Sequence, residues 1–94
     1  WCIGDFEPSI LRTQEFEVAV LTHPKGEYWK PHYHKIATEY NILLSGSMTV
    51  CNTHLTAGDI FVIAPEEIAA PVFHEDCQIV CIKTPSVPSD KYFV

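Results

Sequence analysis

The chain has 94 residues, 47% of them hydrophobic and 19% charged, with a formal net charge of −6. That length gives one small domain, too apolar for a disordered chain and too evenly mixed for a membrane-embedded one. No Lys/Arg cluster offers a footprint for a phosphate backbone, which excludes nucleic acid as a partner, and no apolar run approaches the roughly 18–20 residues that cross a bilayer.

Taken in order, the segments predict strands. The N-terminal "GDFEPSIL" predicts an extended arm outside any sheet. In "EFEVAVLT", Phe16, Val18 and Val20 alternate with Glu17, Ala19 and Leu21, the period of a strand. "EYWKPHYH" is aromatic-rich and follows the breaker "HPKG", and "TEYNILLSG" ends in a Ser-Gly turn. "SMTVCN" and "THLT" predict a hairpin turning near Asn52. "IFVIAP" is a short apolar strand stopped by Pro65, and "APVFH" and "QIVCIKT" are two more. Short strands with turns every ~8–12 residues point to a sandwich or barrel. The tail "TPSVPSDKYFV", with two prolines in four residues, predicts an extended course across the outside or against a partner. One domain therefore covers residues 1–94, with a core over about 16–84 and an arm at each end.

The cysteines are Cys2, Cys51, Cys77 and Cys81. Cys77 and Cys81, four apart in a strand, have Cα atoms ~13 Å apart and cannot bridge each other. All four are expected as buried free thiols of a reducing compartment, hence a cytoplasmic location. The chain opens at Trp1 rather than a methionine, so a start upstream, a leader included, stays open.

The chemistry concentrates in "PHYHKIATEYN", residues 31–41. Alternate residues of a strand share a face, so His32 and His34 point the same way with Cα atoms ~6.6 Å apart. Two imidazoles at that spacing can converge on one ion, and a turn over residues 35–37 returns Glu39 beside them. Two histidines and a carboxylate suit Fe(II), with Mn, Ni or Zn as further candidates. His23, His54 and His74 are expected in loops or at a strand end.

The frame around these residues is Gly-x5-His-x-His-x4-Glu-x6-Gly, from Gly26 to Gly46. It resembles the first signature motif of the cupin superfamily at every marked position. A second motif, Gly-Asp-x3-Ile-Pro-Pro-Gly-x2-His, aligns with "GDIFVIAPEEIA": Gly58, Asp59, Ile63 and Pro65 match, but Ala64, Glu66 and Ala69 replace the first proline, the glycine and the histidine. The resemblance covers Phe16 to about Thr84 and implies a single antiparallel jelly-roll β-barrel. It also implies one divalent metal ion held by His32, His34 and Glu39, the fourth ligand being lost at Ala69.

Strand parity extends the expectation to a pocket for a small polar molecule. Tyr28 and Lys30 would share the inner face with the histidines, Asn41 would share that of Glu39, and Gln78, Val80 and Ile82 would line the opposite wall. Lys30 would hold a carboxylate or phosphate. Tyr40, Ile42 and Leu44, with Trp29 and Tyr33, would point outward, and so much apolar surface predicts a homodimer. Two readings of function follow. One is a metal-dependent enzyme of isomerase, lyase or oxygenase type. The other is a metal-free small-molecule-binding or dimerisation module with a decayed site.

Overall fold

Alternation of side chains between two faces organises the largest sheet. In the computed structural model, which describes residues 2–94, β1 (Glu17–His23), β3 (Thr38–Ser45), β6 (Ile60–Ile63) and β8 (Cys77–Thr84) form a four-stranded sheet in the order β1-β8-β3-β6. A second sheet has the order β5-β4-β7, from β4 (Ser47–Val50), β5 (Thr53–Thr56) and β7 (Val72–Phe73). A third joins β2 (His32–Tyr33) to β9 (Tyr92–Phe93). Every strand pair is antiparallel, and the chain is all-β. Hydrogen bonding does not run continuously around the barrel. Among the described residues no helix is long and apolar enough to cross a membrane.

The core lies between the two larger sheets. Leu43, Ile63 and Ile79 from the first meet Met48, Val50 and Phe73 from the second, all buried. Full burial of such side chains contributes about 1.5–3 kcal/mol each. Two turns fix the register. β4 and β5 join through Cys51 and Asn52, with φ of 49° and 60°, the two positive values that a tight I′-type hairpin needs. At Gly46, φ is +91° and a Cβ would sit 2.3 Å from the Asp76 carbonyl oxygen, so no other residue fits without moving β8's entry.

The outer face of the four-stranded sheet is apolar in two complete rungs. Val20, Val80, Ile42 and Ile60 are successive cross-strand neighbours, as are Val18, Ile82, Tyr40 and Val62. Val20, Tyr40, Ile60 and Val62 are exposed. Leu44 is exposed as expected, and Tyr33, between two cavity-lining histidines, stays off the cavity wall and stacks on Tyr92 at 5.5 Å; Trp29, expected outward, instead borders the internal cavity. Cys51 is also exposed rather than buried, though all four cysteines are free thiols.

The tail is part of the fold. β9 pairs His32 with Phe93 and Tyr33 with Tyr92. Just before it, the buried carboxylate of Asp90 accepts three consecutive backbone N–H groups: Lys35 at 2.9 Å, Ile36 at 3.0 Å and Ala37 at 2.9 Å. Those residues are the turn between His34 and Glu39. Ser86 ties in the N-terminal arm: its N–H donates to Gln14 and its hydroxyl accepts from the Asp5 N–H. Burial raises the Asp90 carboxyl, but the three N–H donors outweigh it and the group ends below the usual carboxylate range.

A lowered carboxyl contributes stability that is present above its unfolded value, about 3.9, and lost as pH falls through the folded one. Asp90→Ala should cost on the order of 3 kcal/mol, since it strips charge-assisted hydrogen bonds from three backbone donors, two part-buried and one buried. Urea unfolding at pH 7 measures that loss. Repeated below pH 4, the gap between wild type and variant should narrow.

Candidate functional site

The cavity between the sheets has a volume of ≈ 430 Å³, within the ~300–1,000 Å³ usual for small-molecule sites. Its floor is the inner face of the four-stranded sheet, laid out in cross-strand rungs. Leu21, Ile79 and Leu43 form an apolar rung; Ala19, Cys81, Asn41 and Phe61 a mixed one; Glu17, Lys83, Glu39 and Ile63 a charged one. Polarity therefore rises along the strands toward the end where the tail crosses.

The two motif histidines sit at that polar end. His32 and His34 flank Tyr33, are 8% and 3% exposed, and hold their rings nearly perpendicular with centroids 5.7 Å apart. His32 Nδ1 lies 3.1 Å from the Lys30 carbonyl. A carbonyl only accepts, so Nδ1 carries the proton and Nε2 of the neutral ring keeps its lone pair. His34 Nδ1 stands 3.7 Å from Glu39 Oε2, and its buried Nε2 has no hydrogen-bond partner. Burial is the main cause that lowers both imidazoles below the ordinary histidine value; the Lys83 charge adds to it at His34. Asn41 is 2% exposed and its amide nitrogen is likewise without a partner. Such unmade hydrogen bonds cost roughly 1–3 kcal/mol each, and a ligand that supplied them would recover part of that.

His32, His34, Glu39 and Asn41 thus line one cavity. Tyr28, Lys30 and Gln78 do not: Tyr28 is 81% exposed beside a shallow groove, and Lys30 and Gln78 are on the surface. Pro31 interrupts the strand before His32, so parity does not carry back to residues 28 and 30. On β8 the inward set is Cys77, Ile79, Cys81 and Lys83, the opposite parity to Gln78, Val80 and Ile82. The cationic groups at the cavity are Lys83 and Lys91. Lys91 arrives on the tail, with Nζ 4.4 Å from the centre of the Trp29 ring.

His23 was expected in a loop but ends β1, paired with Cys77 and buried at the cavity wall. Its Nδ1 is 2.8 Å from Glu27 Oε1, and its ring stacks on Phe73 at 4.5 Å. Trp29 donates to the same Glu27 oxygen. These two donors, His23 first, hold Glu27 below the usual carboxylate range. A histidine four residues before a glutamate across a Pro-Gly turn is the sequence signal for this pair. His74 and His54 lie outside the cavity, their rings tilted against each other with centroids 5.5 Å apart, and Thr49 is bonded to His74. Cys81 borders the cavity, but burial and then the Glu39 charge push its thiol up, which excludes a ready thiolate.

The metal expectation divides into two parts. The donor chemistry fits: two neutral imidazoles, one with an orphaned nitrogen and one with its other nitrogen fixed by a backbone carbonyl, share the cavity with a carboxylate. The arrangement is looser, because among the described residues no three His, Cys, Asp or Glu side chains gather as a ligating group. Ala69 faces the cavity directly across from His32, with reciprocal backbone bonds of 2.8 and 3.1 Å. The position where the second motif would carry a histidine is therefore at the site, filled by a methyl group.

No protein-family model matches the chain, and no curated protein matches it in sequence. Solved structures do match. A conserved protein with a double-stranded β-helix domain from Klebsiella pneumoniae superposes with TM-score 0.78 at 21% identity, covering 87% of this chain and 72% of that one. KdgF from Halomonas sp. gives 0.71 at 18%, covering 81% and 74%. An RmlC-like cupin protein from Ralstonia eutropha gives 0.67 at 16%, covering 86% and 57%. At these identities the likeness is one of fold.

Proposed function

We propose that this chain, which has the cupin fold, binds a small polar molecule in the cavity and holds a divalent metal ion there through His32, His34 and Glu39. The observation that carries the reading is the pair of buried, unpartnered polar atoms, His34 Nε2 and Asn41 Nδ2, at the polar end of a ligand-sized cavity. A bound divalent ion would act as a Lewis acid on a ligand oxygen. The chain's own groups do the rest. Asn41 donates to the ligand, Trp29 and Phe61 exclude water, and Glu39 stands 3.7 Å from His34, able to hold a proton on that imidazole. A solved nucleoside dehydratase, Pac13, and a DMSP lyase, DddQ from Ruegeria pomeroyi, are among the chains of similar fold. They support chemistry in such a cavity without naming a substrate for this one.

A second reading, a metal-free ligand site, is favoured by Lys83. It stands in register between Glu17 and Glu39 and places a built-in cation beside the histidines. Metal analysis separates the two readings. Protein purified without chelator should hold near-stoichiometric metal, lost in a His32→Ala/His34→Ala variant. Ala69→His should tighten binding at least about tenfold by restoring an imidazole donor. No metal after reconstitution with Fe(II), Mn, Ni or Zn, in the parent and in Ala69→His, would leave the metal-free reading.

We further propose that the two apolar rungs on the outer face are covered by a second copy of the chain, as contiguous exposed apolar surface of this kind marks interaction sites. Sedimentation equilibrium should return a dimer for the wild type and a folded monomer for Val62→Glu. A monomeric wild type would contradict this.

A further inference from the structure

We propose that Lys91, carried into the cavity by the C-terminal tail, recognises a monocarboxylate, so that the ligand is a small organic acid with a flat or apolar body. This rests on the reading of the cavity as a ligand site and adds the class of ligand.

The argument begins with where the cation is. Lys91 is only partly exposed and borders the cavity, its ammonium over Trp29 at 4.4 Å and near Phe93 at 5.6 Å. Its backbone is held in place: Asp90 before it is anchored to residues 35–37, and Tyr92 after it is in β9. A lysine without such constraints would extend into water, since the ammonium is strongly hydrated. Here the aromatic face receives it at the mouth of a cavity whose walls include Trp29, Phe61 and Ile79.

The second observation is Asn41. Its amide nitrogen is buried, lacks a partner and belongs to a residue lining the same cavity. An ammonium and an amide N–H2 are both pure donors, and together they match the two oxygens of a carboxylate. The ligand's body would then lie against the apolar rung and the aromatic walls. Burial, followed by repulsion from Lys83, lowers Lys91 from the usual lysine value, with Glu39 pulling the other way. An anion beside Lys91 relieves both penalties. A monoanion suits better than a phosphate dianion, because Glu17 and Glu39 occupy the neighbouring rung.

The sequence alone pointed to Lys30 for this task. Lys30 is exposed, outside the cavity, and its ammonium lies 5.4 Å from the Phe93 ring. It therefore serves as the control.

The test compares benzoate, its neutral isostere benzamide, and phenyl phosphate, titrated into chelator-treated protein by two-dimensional amide NMR up to millimolar concentration. Benzoate should bind at least about tenfold more tightly than benzamide, with shifts at cavity residues. Lys91→Met, which keeps a chain to pack on Trp29, should abolish that preference, and Lys30→Met should preserve it. Equal affinity for benzoate and benzamide, binding of neither, tighter binding of phenyl phosphate, or a preference that survives Lys91→Met would each overturn the proposal. If Lys91→Met did not fold, Lys91→Gln, which keeps a polar chain without the charge, would take its place, and a preference surviving in it would overturn the proposal. Because metal is removed beforehand, the result does not depend on metal occupancy, and an empty metal site leaves it standing.

Discussion

One buried carboxylate holds the polar end of the cavity together. Asp90 accepts the N–H groups of Lys35, Ile36 and Ala37, three donors that the turn would otherwise leave without strand partners. An unpaired buried N–H is costly, and an ionised acceptor makes a stronger bond than a neutral one. The turn so fixed joins His34 to Glu39, and therefore sets how β2 and β3 present the histidines and the carboxylate to one cavity. The same contact positions the tail that carries Lys91. Site and strap are thus aspects of a single constraint, and the tail belongs to the domain although it lies beyond the last long strand.

Around that anchor the cavity departs from the rule that buried polar groups find partners. The rung of Glu17, Lys83 and Glu39 puts three ionisable side chains in register on an inward face, where a packed core would have Val or Ile. Two further polar atoms nearby lack partners. A cavity floored by Leu21, Ile79 and Leu43 throughout would be more stable. Retaining polar groups at one end of an otherwise apolar space is what a site for a molecule with one polar and one apolar end requires. His23 and Trp29 line the wall, and both are hydrogen-bonded to Glu27 behind it.

The strands, the hairpin at Cys51–Asn52 and the grouping of His32, His34, Glu39 and Asn41 were legible because each follows from local signals: period-two alternation, a short turn, and fixed spacing within a glycine frame. Gly46 shows why that frame matters, since a Cβ there would strike the Asp76 carbonyl. The parity of β8 was not legible. Its residues are apolar on both faces, because the outer face carries its own apolar rungs, so hydrophobicity could not tell Ile79 and Cys81 from Val80 and Ile82. Pro31 broke the alternation on which Tyr28 and Lys30 depended. Lys83, Lys91 and Asp90 were hidden for another reason. Their places are set by contacts with residues 44 to 66 positions away, which no spacing rule reports. Lys30, expected at the cavity, lies outside it, and the lysines that border it are Lys83 and Lys91.

The most direct test of this account is amide hydrogen exchange in the wild type and in Asp90→Ala, read residue by residue. If the carboxylate organises the site, the amides of Lys35, Ile36 and Ala37 lose their protection in the variant. Those of β2 and β9 weaken with them, by more than the β1–β8 and β3–β8 ladders, whose protection falls only by the drop in global stability. Unchanged protection at residues 35–37, or a uniform loss across every sheet, would contradict the claim that Asp90 specifically builds the polar end of the cavity.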